Sequence, residues 1–149
     1  MPKVVYTSAK GLVQQAGSGI ALSGNELVGQ LSRVYTATTA LNTSDSGAEL
    51  LVSSSTGAVT VTLPTTLTNG WTATFFASSV HAHVVNGGAT KMEGVVFDNT
   101  NGSTLARNAF VTGSSITLVN PKVGDFLKFS CDGAKWYVYG WCNDTPTIL

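Results

Sequence analysis

The sequence predicts an all-β protein, a β-sandwich or jelly-roll-like domain that follows an extended N-terminal arm. From Val34 onward, short apolar runs alternate with polar residues at a period of two, which is typical of strands with one buried face. Turn dipeptides such as Asn-Gly, Asp-Gly and Gly-Gly separate these runs at short intervals. No stretch has the apolar period of a convincing amphipathic helix. We therefore predict an arm at residues 1–34 and a sandwich domain at residues 35–149.

The predicted arm is rich in Gly, Ala, Ser and Gln, and its apolar residues are isolated. A segment of this composition buries too little apolar surface to form a core of its own. It is either a disordered tail or an extended arm that docks on a neighbouring subunit. Regularly placed apolar residues, which a simple linker does not need, favour docking. The candidate anchors are Tyr6, Leu12, Val13, Ile20 and Leu22.

The central stretch of the domain, residues 45–76, predicts three successive strands. Residues 59–63 alternate Val or Leu with Thr, which predicts one buried and one solvated face. A shorter and more buried strand is predicted at residues 50–52, and another at residues 71–76. The turns between them contain Gly57 and Asn69-Gly70. Such short connections predict a β-meander in which each strand pairs with the next.

The rest of the domain predicts more strands of the same kind. They are expected at residues 34–41, 80–85, 91–97, 107–112, 115–119, 123–131 and 134–142. On the second of them, His81 and His83 lie two residues apart, so both project from one face within reach of one metal ion. No third ligand is evident, and two polar residues on a solvent face explain the pair more simply. We predict no metal and no cofactor.

The last hairpin carries large apolar side chains on both faces. If Asp132-Gly133 forms a two-residue turn, Trp136 lies opposite Phe129. The face away from the core then carries three aromatic side chains: Tyr137, Tyr139 and Trp141. A loop or the arm covers this face, or another subunit contacts it, or sugars stack on it. Tyr and Trp are enriched at protein interfaces, so a subunit interface is the candidate role.

The same register separates the two cysteines of the chain. Cys142 then falls near Val123, far along the strand from Cys131 and well beyond the ~7 Å Cα separation that a disulfide tolerates. We predict free buried thiols within one chain, while a bridge between chains stays open.

Composition argues against several classes of function. Eight basic and eight acidic residues give a formal net charge of zero, and no basic run marks a nucleic-acid binder. No apolar stretch approaches the ~20 residues of a membrane span. Scattered acidic residues, no nucleophile elbow and no phosphate-binding loop argue against an enzyme. Charged residues are only 11% of the chain, against ~25% in ordinary soluble proteins, which suits a protein packed against neighbours.

Several segments resemble a module of tailed-bacteriophage structural proteins. The similar segments include Val59-Thr-Val-Thr-Leu-Pro64, Gly70-Trp71, Ile116-Thr-Leu-Val119, and the end of the chain from Trp136-Tyr-Val138 to Gly140. In that module a "VTVTLP" strand precedes a glycine turn, and a "G-x-W-x-V-x-G" hairpin ends the domain. The resemblance covers roughly residues 36–141. It implies a virion component without enzymatic activity, often trimeric, found in head decoration (cement) proteins, head fibres and tail-fibre domains.

A free-standing β domain with an arm is most similar to the decoration proteins, which clamp neighbouring capsid subunits. The expected function is therefore to stabilise a phage head from its outer surface, as a homotrimer bound to the major capsid protein. The five arm residues would contact the capsid, and the three aromatic residues of the last hairpin would join the subunits. We expect synthesis in the host cytoplasm, because no export signal follows Lys3.

Two other functions are possible for such a sequence. The stronger alternative to a decoration protein is a receptor-binding or glycan-binding tip of a head fibre or tail fibre. A small secreted lectin or enzyme is the weakest, because it lacks both an export signal and an acidic pair.

Overall fold

The computed structural model describes residues 32–89, 91–100 and 105–149, together with the backbone of two N-terminal strands. Its strands in chain order are β1 (Val4–Thr7), β2 (Gly11–Gln14), β3 (Ser32–Tyr35), β4 (Thr39–Ala40), β5 (Ala48–Val52), β6 (Thr60–Thr62), β7 (Thr72–Ala77), β8 (Val84–Asn86), β9 (Met92–Asp98), β10 (Ala106–Gly113), β11 (Ser115–Thr117), β12 (Phe126–Cys131), β13 (Trp136–Cys142) and β14 (Thr147–Ile148). Within these described residues the one helical element is a 3-10 turn at Thr43–Asp45. The predicted all-β class is confirmed.

Two mixed sheets pack together as a sandwich, and β1 and β2 form a separate two-stranded sheet. The large sheet has the order β10-β9-β13-β12-β7-β5-β3, and the small sheet the order β14-β11-β8-β6-β4. The core between them includes Trp71 and Trp136, whose rings meet edge to face with centroids 5.1 Å apart. Burial of these apolar faces is the main force that holds the two sheets together.

The chain from β3 to β8 alternates between the two sheets. Strands β3, β5 and β7 are parallel neighbours in the large sheet, while β4, β6 and β8 are parallel neighbours in the small sheet. The predicted β-meander at residues 45–76 is therefore wrong, because β6 lies in the other sheet from β5 and β7. The buried faces are as predicted, since Val59, Val61 and Leu63 are buried. A period of two determines which side chains are buried but not which strand is the neighbour.

The first strand of the large sheet begins inside the predicted arm. Strand β3 starts at Ser32 and pairs with β5, so regular sandwich structure precedes the predicted boundary between residues 34 and 35. Arg33 also forms an ion pair with the buried Asp45, whose other oxygen accepts a hydrogen bond from the backbone N–H of Asn42 at 2.7 Å. This contact attaches the edge strand to the 3-10 turn.

The register of the last hairpin differs from the prediction by two residues. Trp136 pairs with Cys131 rather than facing Phe129, because the loop has four residues, Asp132 to Lys135. The Asp132 carboxylate accepts hydrogen bonds from the backbone N–H groups of Ala134 and Lys135, both at 2.8 Å, and these bonds stabilise the longer loop. A shift of two preserves the predicted faces.

The two cysteines are free and buried, as predicted for thiols that form no bridge within the chain. In the observed register Cys131 and Cys142 lie at opposite ends of their hairpin, because Cys131 pairs with Trp136 while Trp141 pairs with Phe126. The distance along the strands prevents an intrachain bridge.

Candidate functional site: the outer face of the large sheet

The surface of the large sheet that points away from the small sheet is unusually apolar for an exposed face. On β13 the side chains alternate strictly between buried and exposed. The exposed fraction is 40% for Tyr137, 52% for Tyr139 and 38% for Trp141. The structure thus places the three predicted aromatic residues on one exposed face, which we call the outer face.

A row of apolar side chains crosses the outer face from strand to strand. Cross-strand register aligns one residue from each of six neighbouring strands. We call this row the apolar band, and its members are Val34, Leu51, Phe76, Phe126, Trp141 and Phe97. Five strand spacings make it about 24 Å long. At the β10 end, Arg107 aligns with Phe97 and closes the row with a charge.

The three phenylalanine rings of the band form a contiguous cluster with Tyr139. The ring centroids of Phe76 and Phe126 are 6.1 Å apart. Tyr139 lies one row away and approaches Phe97 at 6.2 Å and Phe126 at 6.3 Å. These separations lie within the range in which aromatic pairs attract each other, so the cluster is a stiff, preformed surface.

Beyond the band, the outer face carries a shallow depression of about 190 Å³, whose mostly apolar lining includes a few polar groups. We call it the tyrosine slot, and its lining residues are Gly94, Lys128, Ser130, Tyr137, Val138 and Tyr139. The two tyrosines follow each other along the exposed side of β13, and Lys128 and Ser130 face them from β12. Parallel pairing of β9 with β13 places Gly94 opposite Val138.

Charged and hydrogen-bonding groups fix the geometry at one end of the slot. The Tyr137 hydroxyl donates to the Asp132 carboxylate at 2.9 Å, while Lys135 forms an ion pair with Glu93. Backbone hydrogen bonds from Lys135 and Ala134, together with the bond from Tyr137, lower the pKa of Asp132. The same hydroxyl–carboxylate bond raises the pKa of Tyr137. At neutral pH the tyrosine is therefore a protonated donor to a charged carboxylate.

The predicted histidine pair is not arranged as expected. Strand β8 begins only at Val84, so His81 and His83 lie in the preceding loop, where His83 is buried and His81 is partly exposed. His83 packs 6.4 Å from Phe75 between ring centroids. The expectation of two polar residues on a solvent face is wrong for His83. Within the part of the chain that the structure describes, no cluster of three or more potential ligands could hold a metal ion.

The hydrogen bonds of His83 determine its chemical role. Nδ1 accepts a bond from the backbone N–H of Val59 at 3.1 Å, so the proton of the neutral ring lies on Nε2. Nε2 lies 2.8 Å from Ser79 Oγ and donates to it. An imidazole in this tautomer cannot accept the serine proton, so the pair does not have the arrangement of a nucleophile and its base. His83 instead connects its loop to the residue that precedes β6.

A second polar cluster surrounds Asp98 at the end of β9. The buried carboxylate accepts hydrogen bonds from Asn108 Nδ2 at 2.7 Å and from Thr100 Oγ1 at 2.8 Å. Burial alone would raise the pKa of Asp98, but the bonds from Asn108 and Thr100 outweigh it and lower that pKa. These bonds satisfy the carboxylate, so the cluster stabilises the chain locally.

The arm residues are only partly covered by the structure. Tyr6 lies in β1, and Leu12 and Val13 lie in β2, which pair in an antiparallel register. Ile20 and Leu22 lie outside the described residues. The predicted docking role of all five stays a prediction.

Sequence reasoning identified three residues of the outer face and missed most of the band. Val34, Leu51, Phe76 and Phe97 come from strands that are distant in sequence, and only the strand order brings them into one row. A usable signal was present in Phe75-Phe76 and Leu50-Leu51, where consecutive large apolar residues must point to both faces of a strand.

Comparisons with protein-family models and with curated proteins find no match to this chain. In the described residues no helix is long and apolar enough to cross a membrane.

Proposed function

We propose that this chain is a structural protein of a tailed-bacteriophage virion, a decoration protein that binds the outer surface of the capsid as a homotrimer. The observation that carries the proposal is the apolar band. It presents six apolar side chains, three of them Phe and one Trp, on the face of the large sheet that points away from the core. Exposed apolar patches of this kind mark protein contacts.

The length of the band suits a contact between protein subunits. A standard interface covers about 800 Å² on each partner, and a band about 24 Å long can form the apolar centre of such a contact. Each Å² of apolar surface removed from water contributes about 25 cal/mol. Tyr and Trp concentrate such energy, and Trp141 lies opposite Phe126 on one neighbouring strand and Phe97 on the other. We assign the contact between copies to this band, with Tyr139 at its border.

The N-terminal segment supports attachment to a larger particle. It joins the sandwich at β3, the open edge of the large sheet, and Val34 on that strand is 65% exposed at the end of the band. A two-stranded sheet as short as β1 and β2 is marginally stable in water without packing against another surface. We assign capsid contact to the arm, with Tyr6, Leu12, Val13, Ile20 and Leu22 as its anchors. Three arms per trimer would bind with the avidity of a multivalent ligand.

The low charge of the chain and the phage-like segments support the same proposal. The segments from Val59 to Pro64 and from Trp136 to Gly140 form β6 with its flanks and most of β13. Both lie in the sandwich, in the all-β setting that the resemblance implies.

Co-sedimentation with capsids tests the proposal. Heads of the phage that encodes the chain, purified without this protein, are mixed with the full-length chain or with a variant lacking residues 1–31. The truncation stops before Ser32 so that β3 keeps its pairing with β5. We expect saturable binding of the full-length chain and none of the truncated one.

Absence of binding by the full-length chain would overturn the proposal. Equal binding of both forms would show that the arm is not the capsid contact. Circular dichroism and tryptophan fluorescence of the truncated chain control for its folding.

A further inference from the structure

We propose that the tyrosine slot binds a pyranose sugar that carries a carboxylate, as in an acidic polysaccharide. This inference does not rest on the proposed virion function. The slot and the apolar band differ in chemistry: the band is uniformly apolar, whereas the slot combines two aromatic rings with hydroxyl and ammonium groups.

The slot has the composition that a sugar requires. A pyranose ring exposes C–H bonds on its faces, which pack on aromatic rings, and hydroxyl groups around its edge, which need hydrogen-bond partners. Tyr137 and Tyr139 offer the rings, and Ser130 offers a hydroxyl on the opposite wall. A volume of about 190 Å³ is below the size of pockets that enclose drug-sized ligands, and it suits one sugar ring lying against the surface.

The floor of the slot is backbone, and it must remain so. A Cβ atom at position 94 would lie 1.9 Å from the carbonyl oxygen of Val138, so glycine is required where β9 passes β13. This close approach of two backbones leaves the tyrosine rings standing above a flat base. Backbone floors without side-chain cover allow close approach of a ligand.

The walls of the slot are held in place before any ligand arrives. The Tyr137 hydroxyl is bound to Asp132, and that carboxylate is bound in turn to two backbone N–H groups of the hairpin loop. Tyr139 is packed against Phe97 and Phe126. Fixed walls reduce the entropy that a weakly binding ligand must overcome.

Lys128 determines the preference for an acidic sugar. Its neighbours across the strands are Tyr139 and Thr74, neither of which is charged. In its row the nearest carboxylate is that of Glu49, two strands away, which corresponds to about 10 Å between strands. The ion pairs of the described residues involve Arg33 and Lys135. The Lys128 ammonium is therefore available to a carboxylate lying over the slot.

Two of the predicted interface residues then have a different role. Tyr137 and Tyr139 become the walls of a ligand site, while Trp141 and the apolar band keep the contact between copies. Sugar binding is then expected in the oligomer and not only in separated chains.

Saturation-transfer and titration NMR on the full-length protein test the inference with methyl glucuronide and methyl glucoside. These probes differ only at C6, which is a carboxylate in the glucuronide and a hydroxymethyl group in the glucoside. We expect the glucuronide to bind about tenfold more tightly, the ratio that one charge-assisted hydrogen bond supplies. The Lys128→Gln variant should bind both probes equally, because the slot keeps its rings and loses its cation. Lys122→Gln, which removes an exposed lysine from the turn before β12, should leave the preference unchanged.

Failure of both probes to bind the wild-type protein would overturn the site. Equal binding of both probes to the wild type, or an unchanged preference in Lys128→Gln, would overturn the acidic specificity. Because the Lys128 side chain is exposed, the variant is expected to fold, and its molar mass by light scattering shows whether the oligomer is preserved.

Discussion

Replacement of Gly94 by alanine tests the close approach of β9 and β13. In the structure, a Cβ at this position would lie 1.9 Å from the Val138 carbonyl oxygen and 2.7 Å from its carbonyl carbon. Both contacts are with backbone, which cannot rotate away as a side chain would. The two strands must separate locally, although both are interior strands of the large sheet.

Two effects contribute to the expected loss of stability. Inserting a carbon into a packed region costs about 1–3 kcal/mol. The positive φ of 157° at Gly94 adds backbone strain in a residue with a side chain, again about 1–3 kcal/mol. The free energy of unfolding should fall by about 2–6 kcal/mol, a large part of the ~5–15 kcal/mol of a typical domain.

Urea unfolding followed by tryptophan fluorescence measures this change, because Trp71 and Trp136 are buried. Gly57→Ala is the matched control, since a Cβ at position 57 would meet nothing within 4 Å. That variant should unfold within about 1 kcal/mol of the wild type. A Gly94→Ala protein as stable as the control would refute the backbone contact on which the floor of the slot depends.

Three further predictions concern buried groups. Burial, and to a lesser extent the charge of His81, lowers the pKa of His83, so this side chain binds a proton more readily in the unfolded chain than in the folded one. The free energy of unfolding, measured with urea, should therefore be constant above pH ~6.5 and fall below it, and His83→Gln should reduce this pH dependence. Burial, with nearby carboxylates, raises the pKa of the Cys142 thiol to about 12, so a maleimide at pH 8 should modify this thiol only after the chain unfolds. Electrophoresis without reductant should show no intrachain bridge. Asn108→Ala leaves the buried Asp98 carboxylate without one hydrogen-bond donor and should lower the free energy of unfolding by about 1–3 kcal/mol at pH 7. Thr112→Ala on the same strand should leave the free energy of unfolding unchanged, and equal losses in the two variants would contradict a stabilising role for the Asn108–Asp98 bond.

The fold class was predictable because its signal is local. Alternation in residues 59–63 and along β13 depends only on neighbouring residues, and the buried and exposed sides came out as predicted. The hairpin register was wrong by two, but the faces survived because a shift of two preserves them.

The strand order was not predictable, because it depends on contacts between distant segments. A turn at Gly57 is compatible with a hairpin and with a crossing to the other sheet, and the chain takes the crossing. His83 shows the same limit. A histidine in a polar loop resembles a surface residue until the fold closes over it and supplies the N–H of Val59.

The candidate site was predictable only in the part that lies on one strand. The aromatic stripe of β13 is visible in the sequence, whereas the band that it belongs to requires the neighbours of β13 on both sides. The slot also depends on Gly94, which was not distinguished from other strand glycines until β9 was placed beside β13.

The measurement that tests the central claim most directly is the molar mass of the full-length chain by light scattering. We predict three times the chain mass of 15.4 kDa for the wild type, and a single chain for Trp141→Lys, which places a charge in the apolar band. Thr112→Lys, which adds the same charge at an exposed position outside the band, should remain a trimer. A wild-type mass equal to one chain, or a trimer that survives Trp141→Lys, would contradict the assignment of the band to the contact between subunits.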